Sequence, residues 1–166
     1  SGKLLPGTDP NALKAYDSTI EEARADLFGL YYLPDQKLVD LGIIPSADAF
    51  KAEYYSFMMN GLMTQLTRIQ PGKNIEQAHM RNRQLIASWV YEKGKADKVV
   101  ELKKRDGETF VVVNDYEKLR ALFGKLLSEI QRIKSTGDYQ GAHDLVENYA
   151  VKVDPALHAE VLERGL

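Results

Sequence analysis

The chain has no cysteine among its 166 residues, which excludes a disulfide framework, a thiolate metal site and a cysteine nucleophile. Any metal would have to be held by histidine and carboxylate groups. No apolar run approaches the ~20 residues that span a bilayer, and no basic-then-apolar signal segment opens the chain. That argues against a membrane partner. Blocks of like charge are missing as well: 22 Lys and Arg stand against 24 Asp and Glu, for a net charge of -2. The electrostatic footprint of a nucleic-acid binder is therefore absent. The sequence also lacks a Gly-x-x-x-x-Gly-Lys phosphate loop, and its three histidines, His79, His143 and His158, form no His-x-x-x-His pair.

With 44% hydrophobic residues, the chain can bury the core of one ordinary domain. It contains no internal repeat, low-complexity tract or linker. The reading is a single domain over residues 1–166, mainly α, with one small β-hairpin near residues 98–113. Asp9-Pro10 looks like a helix cap followed by a first-turn proline. Ser18 with Glu21 fits a capping box that opens a helix to about Tyr32, stopped by Pro34. A short helix from Asp35 to Leu41 ends at Gly42. Ser46 then caps a longer one whose apolar positions run from Phe50 through Tyr54, Phe57, Met58, Leu62 and Leu66 to Ile69.

Asn74 opens the next helix, which runs to Gly94. The period then changes, and Val99, Val100 and Leu102 face Phe110 to Val113 across Asp106-Gly107, a strong hairpin turn. Helix resumes near Asp115 with an apolar stripe from Leu119 to Ile133 that stops at Gly137. Asp138 and Asp154-Pro155 begin two last helices.

Chemistry points first to Glu21, Glu22, Arg24 and Asp26, three carboxylates and a guanidinium within six positions. Glu22 and Asp26 are one turn apart on one helix face. One reading is a capped, solvated helix start; the other makes Glu22 a metal ligand with Glu21 or Asp26 supporting a neighbouring histidine. His79 and Arg83, also one turn apart, can jointly address a carbonyl or carboxylate. His143 with Glu147, and His158 with Glu160 or Glu163, are ordinary helical neighbours.

Three segments carry a resemblance: Ser18-Thr19-Ile20-Glu21-Glu22-Ala23-Arg24-Ala25-Asp26-Leu27, Glu76-Gln77-Ala78-His79-Met80-Arg81-Asn82-Arg83, and Ile133-Lys134-Ser135-Thr136-Gly137-Asp138. In order and separation they resemble the dipeptidyl peptidase III family, most nearly its bacterial members of the Bacteroides type. The first is similar to the signature Glu-Glu-x-Arg-Ala-Glu/Asp. The resemblance implies a zinc metallopeptidase that removes dipeptides from the N-termini of oligopeptides, and family habit adds a cytoplasmic location.

By the same resemblance Glu22 would be a zinc ligand, with Glu21, Arg24 and Asp26 behind it. His79 would polarise the scissile peptide, and Arg83 would contact substrate. The family's His-Glu-x-x-Gly-His helix, which supplies the other two ligands and the general base, has no counterpart here. The expectation is a portion of a catalytic domain cut downstream of that helix, inactive alone and partnered by the remainder of its parent. Apolar surface exposed by such a cut would favour dimers. The alternative is a free-standing helical interaction module that keeps the fold without the catalysis.

Overall fold

The computed structural model describes residues 4–42 and 48–166. Its elements are α1 (Asp17–Tyr32), α2 (Gln36–Asp40), α3 (Ala49–Leu62), α4 (Ala78–Lys93), β1 (Val100–Arg105), β2 (Glu108–Val113), α5 (Tyr116–Thr136), α6 (Tyr139–Leu145) and α7 (Pro155–Arg164). Short 3₁₀ turns precede α1 and follow α3, and a π turn, Val146–Ala150, extends α6. The mainly helical expectation with one hairpin holds among the described residues.

α4 is the hub, packing against α1, α3, α5 and the π turn. Its sequence shows why, because Leu85, Ile86, Ala87 and Val90 are all fully buried and even Asn82 and Gln84 are covered. A helix covered on several sides, polar positions included, belongs at the centre of a bundle. Around it, Tyr54 of α3 sits between Phe50 and Phe123, edge-on to both at 5.2 and 5.0 Å. Tyr54 also donates its hydroxyl hydrogen to the Leu30 carbonyl of α1. The α5 stripe is buried at Leu119, Phe123, Leu126, Leu127, Ile130 and Ile133, and Leu122 lies at its half-buried edge.

The hairpin pairs Val100 with Val113 through to Arg105 with Glu108. Asp106 and Gly107 both take positive φ, +52° and +79°, as a two-residue type I′ turn requires. Three helix starts match the sequence reading. Asp115 accepts from the Lys118 amide at 2.9 Å, Asp138 from Gly141 at 2.9 Å, and Asp154 from Ala156 and Leu157 at 2.9 and 3.1 Å.

Other boundaries differ. Asp9 accepts from the Asn11 amide at 2.9 Å, but turns follow instead of a helix, and Lys14 at φ +50° ends that run. The capping box is not formed: α1 begins at Asp17 with no side-chain cap, leaving Ser18 inside the helix and Glu21 engaged elsewhere. The Ser46 cap lies outside the described residues. The long third helix stops at Leu62, because Met63 leaves the helical region (φ -133°, ψ -63°) and Thr64–Arg68 tightens into a 3₁₀ turn. That turn buries Gln65, whose amide donates to the Met80 carbonyl at 3.0 Å.

α4 starts at Ala78, four residues after Asn74, following an extended Gln77 (ψ 134°). The approach is held open by tertiary bonds. The Ile75 amide donates to the Val151 carbonyl at 3.2 Å, and Arg81 Nε to the Ile75 carbonyl at 2.7 Å.

Candidate metal centre

α1 presents its two adjacent glutamates differently, because consecutive helical residues point about 100° apart. Glu21 turns towards α5. Its carboxylate accepts from Arg24 Nη2 at 2.6 Å and Nε at 3.2 Å, and from Lys134 Nζ in the last turn of α5. These donors hold the Glu21 carboxyl down at about 2, with the Arg24 hydrogen bonds as the largest cause and partial burial opposing them. Glu22 is exposed and makes no side-chain hydrogen bond or ion pair among the described residues.

One turn on, Asp26 is half-buried and accepts a hydrogen bond from Asn82 Nδ2 on α4. Burial pushes its carboxyl up, while the Asn82 bond and the Arg83 charge pull the other way. Asp26 also edges a groove of about 470 Å³ between α1 and α3, floored by Leu30, Leu33 and Phe57 and rimmed by Glu53, Ser56 and Asn60.

His79 is exposed in the first turn of α4, and Arg83 is half-buried one turn later. Arg81, between them, is committed to the Ile75 carbonyl. The Asn82 to Asp26 bond joins α4 to α1, so the two signature helices are tied together at these positions. The third segment joins through Lys134, and Thr8 Oγ1 donates to the Ser135 carbonyl at 3.1 Å, packing the N-terminal turns over it.

The remaining histidines are occupied elsewhere. His158 is buried and donates from Nε2 to the Ile69 carbonyl at 2.9 Å, and His143 lies 3.0 Å from Asp144 on the surface. Two of their sequence neighbours are engaged as well: Glu147 accepts from the Tyr16 hydroxyl at 2.9 Å, and Glu160 from the Thr109 amide. Among the described residues no three His, Cys, Asp or Glu side chains gather in a metal-binding group. For a zinc ion the described residues offer a partial set of ligands: the Glu22 carboxylate has no partner among them, while those of Glu21 and Asp26 already accept hydrogen bonds.

Two residues of this network do not stand out in the sequence. Lys134 lies inside the third signature segment, where it reads only as a helix end. Asn82 lies three residues after His79, at a position where a polar side chain needs a partner once buried.

Residues 7–162 match the family model described as Peptidase family M49. The chain belongs to peptidase family M49, the dipeptidyl peptidase III family. Its fold is also similar to a solved structure, the dipeptidyl peptidase III of Caldithrix abyssi, with a TM-score of 0.67 and 26% identity. The match covers 98% of this chain and 28% of that one, so the chain spans little more than a quarter of that relative's length. All three signature segments of this M49 chain fall within the matched residues. No helix among the described residues is long and apolar enough to cross a membrane.

Proposed function

We propose that this chain forms part of the active site of a zinc-dependent M49 exopeptidase that releases dipeptides from the N-termini of oligopeptides. The observation that carries the reading is the division of labour within Glu21-Glu22. Glu21 has its carboxylate filled by Arg24 and Lys134, whereas Glu22 is exposed with no partner among the described residues. In a segment that resembles the family's signature and lies within the residues matched to the M49 model, a carboxylate left free beside one held in place suits a metal ligand.

Glu22 would hold zinc together with ligands contributed by the remainder of the parent. When bound, zinc in such sites polarises a carbonyl and lowers the pKa of bound water. Asp26 would tie the helix carrying Glu22 to α4 through Asn82, and Arg24 would hold the Glu21 carboxylate beside it. His79, exposed at the start of α4, would donate a hydrogen bond towards the oxygen of a peptide carbonyl, and Arg83 would address a substrate carboxylate or carbonyl.

The isolated chain is expected to be inactive, because no group of metal ligands forms around Glu22 among the described residues. Exposed Phe28 and Tyr32, with ring centroids 4.7 Å apart, favour dimers of the isolated chain. The reading is tested in the full-length protein carrying this sequence, with a dipeptidyl-naphthylamide substrate. Glu22→Gln should abolish bound zinc and dipeptide release together, and His79→Ala should lower kcat by about 10² to 10³ with zinc retained. Full zinc content and activity in Glu22→Gln would overturn it.

A further inference from the structure

Glu22 makes no side-chain hydrogen bond or ion pair among the described residues that would fix its direction, so the helix under it must be held from the sides. Besides the packing of the buried face of α1, two polar links at the signature do this. At one end of the signature, Asn82 of α4 donates to Asp26; at the other, Lys134 of α5 donates to Glu21, the residue next to Glu22. Lys134 is well placed for the task. Its side chain is only 18% exposed, it sits in the last turn of a 21-residue helix ended by Gly137 at φ +66°, and Asp17 lies 3.9 Å from its ammonium. Arg24 cannot substitute for it, because Arg24 and Glu21 are on the same helix and their pairing ties the signature to no other element.

We propose that Lys134 is a positioning residue for the metal site: by tethering the Glu21 carboxylate to α5 it fixes the partly exposed edge of α1 and so aims the neighbouring Glu22. The ammonium also occupies the Glu21 oxygen that faces α5, so Glu21 does not compete with Glu22 for a cation. Lys134 touches neither metal nor substrate. The inference rests on the reading of Glu22 as a zinc ligand, and its mechanism is geometric: a side chain outside the metal's own ligands that orients one of them.

The experiment is a double-mutant cycle in the full-length protein, read as zinc affinity by competition with a chromophoric chelator. Lys134→Met and Glu21→Gln should each weaken zinc binding by about 10- to 100-fold, the range for residues that orient a ligand. The double variant should lose little more than either single one, since both act through one contact. Lys134→Arg, which keeps a donor in reach of Glu21, should recover most of the affinity.

Additive losses, or wild-type affinity in a folded Lys134→Met, would overturn the role of Lys134 while leaving Glu22 as ligand. If Lys134→Met does not fold, Glu21→Gln with and without Lys134→Arg answers the same question, because an arginine in place of the lysine should rescue nothing once Glu21 is neutral. A recovery of zinc affinity in that double variant would overturn the tether. Wild-type zinc affinity in Glu22→Gln would overturn the ligand reading itself, and this inference with it.

Discussion

Asn82 of α4 donates its side-chain amide to the carboxylate of Asp26 on α1, joining the two helices that carry the signature residues. The pair is unequal. Asn82 is buried, with its own Oδ1 lacking a protein partner, and Asp26 is a half-buried anion whose carboxyl is pushed up by burial.

Asp26 therefore costs stability at neutral pH. A carboxyl raised above its unfolded value contributes stability that is fully present below the unfolded pKa and lost as pH rises through the folded one. Asp26→Asn keeps an oxygen to accept from Asn82 and removes the charge. It should unfold at a higher temperature than wild type at pH 7, with the gap closing as pH falls towards the ordinary aspartate value of about 3.9. Because Arg83 loses its neighbouring charge in this variant, the gain should be larger in Asp26→Asn combined with Arg83→Gln. Urea midpoints across the pH range measure both.

Glu21 has the opposite sign. Its carboxyl is held at about 2 by Arg24 and Lys134, so its stabilisation is present above the ordinary glutamate value and disappears as pH falls from about 4.5 to 2. Wild type should exceed Glu21→Gln in stability at pH 6, and the two should converge towards pH 2. The Glu21 side chain is 41% exposed, so the difference at pH 6 should be modest and should shrink at a salt concentration of about 0.5 M. Curves that stay parallel to pH 2 would rule out the ion pair as the cause.

How much of this is legible in the sequence follows from what each feature depends on. The caps at Asp115, Asp138 and Asp154, the Asp106-Gly107 turn and the α5 stripe are local: the residues that make them lie within a few positions of one another. The failures are tertiary. Ser18-Glu21 has the form of a capping box, but Lys134 and Arg24 take the glutamate. Apolar spacing carries the third helix past Leu62, yet Gln65 is drawn to the Met80 carbonyl. In the site, Glu21, Glu22, Arg24 and Asp26 stand out by type and spacing. The resemblance already singles out Glu22; what is not legible is the second partner of Glu21, since that lysine comes from another helix.

Tyr54 anchors the aromatic centre: it is fully buried, donates to the Leu30 carbonyl and meets Phe123 edge-on. Tyr54→Phe removes one buried hydrogen bond and should cost about 1 kcal/mol. Phe123→Ala removes the ring that Tyr54 and Phe57 both meet edge-on and should cost about 3 to 5 kcal/mol. Chemical denaturation of each variant, with an unchanged slope against denaturant, checks the pair.

Gly61 of α3 bears on the site through α4. A methyl group there would lie 2.7 Å from the Ala87 Cβ and 2.9 Å from the Arg83 carbonyl oxygen. Neither neighbour is the end of a flexible side chain, so Gly61→Ala must push α3 and α4 apart. Overpacking of this kind costs about 1 to 3 kcal/mol, and here it also displaces the turn that bears Arg83. Ala87→Gly in the same chain removes the nearer clash but leaves the carbonyl, so it should restore only part of the loss, less the cost of a second helical glycine. Thermal unfolding of the two single variants and the double variant decides this: full additivity of the two losses would show that the contact between Gly61 and Ala87 does not set the spacing of these helices.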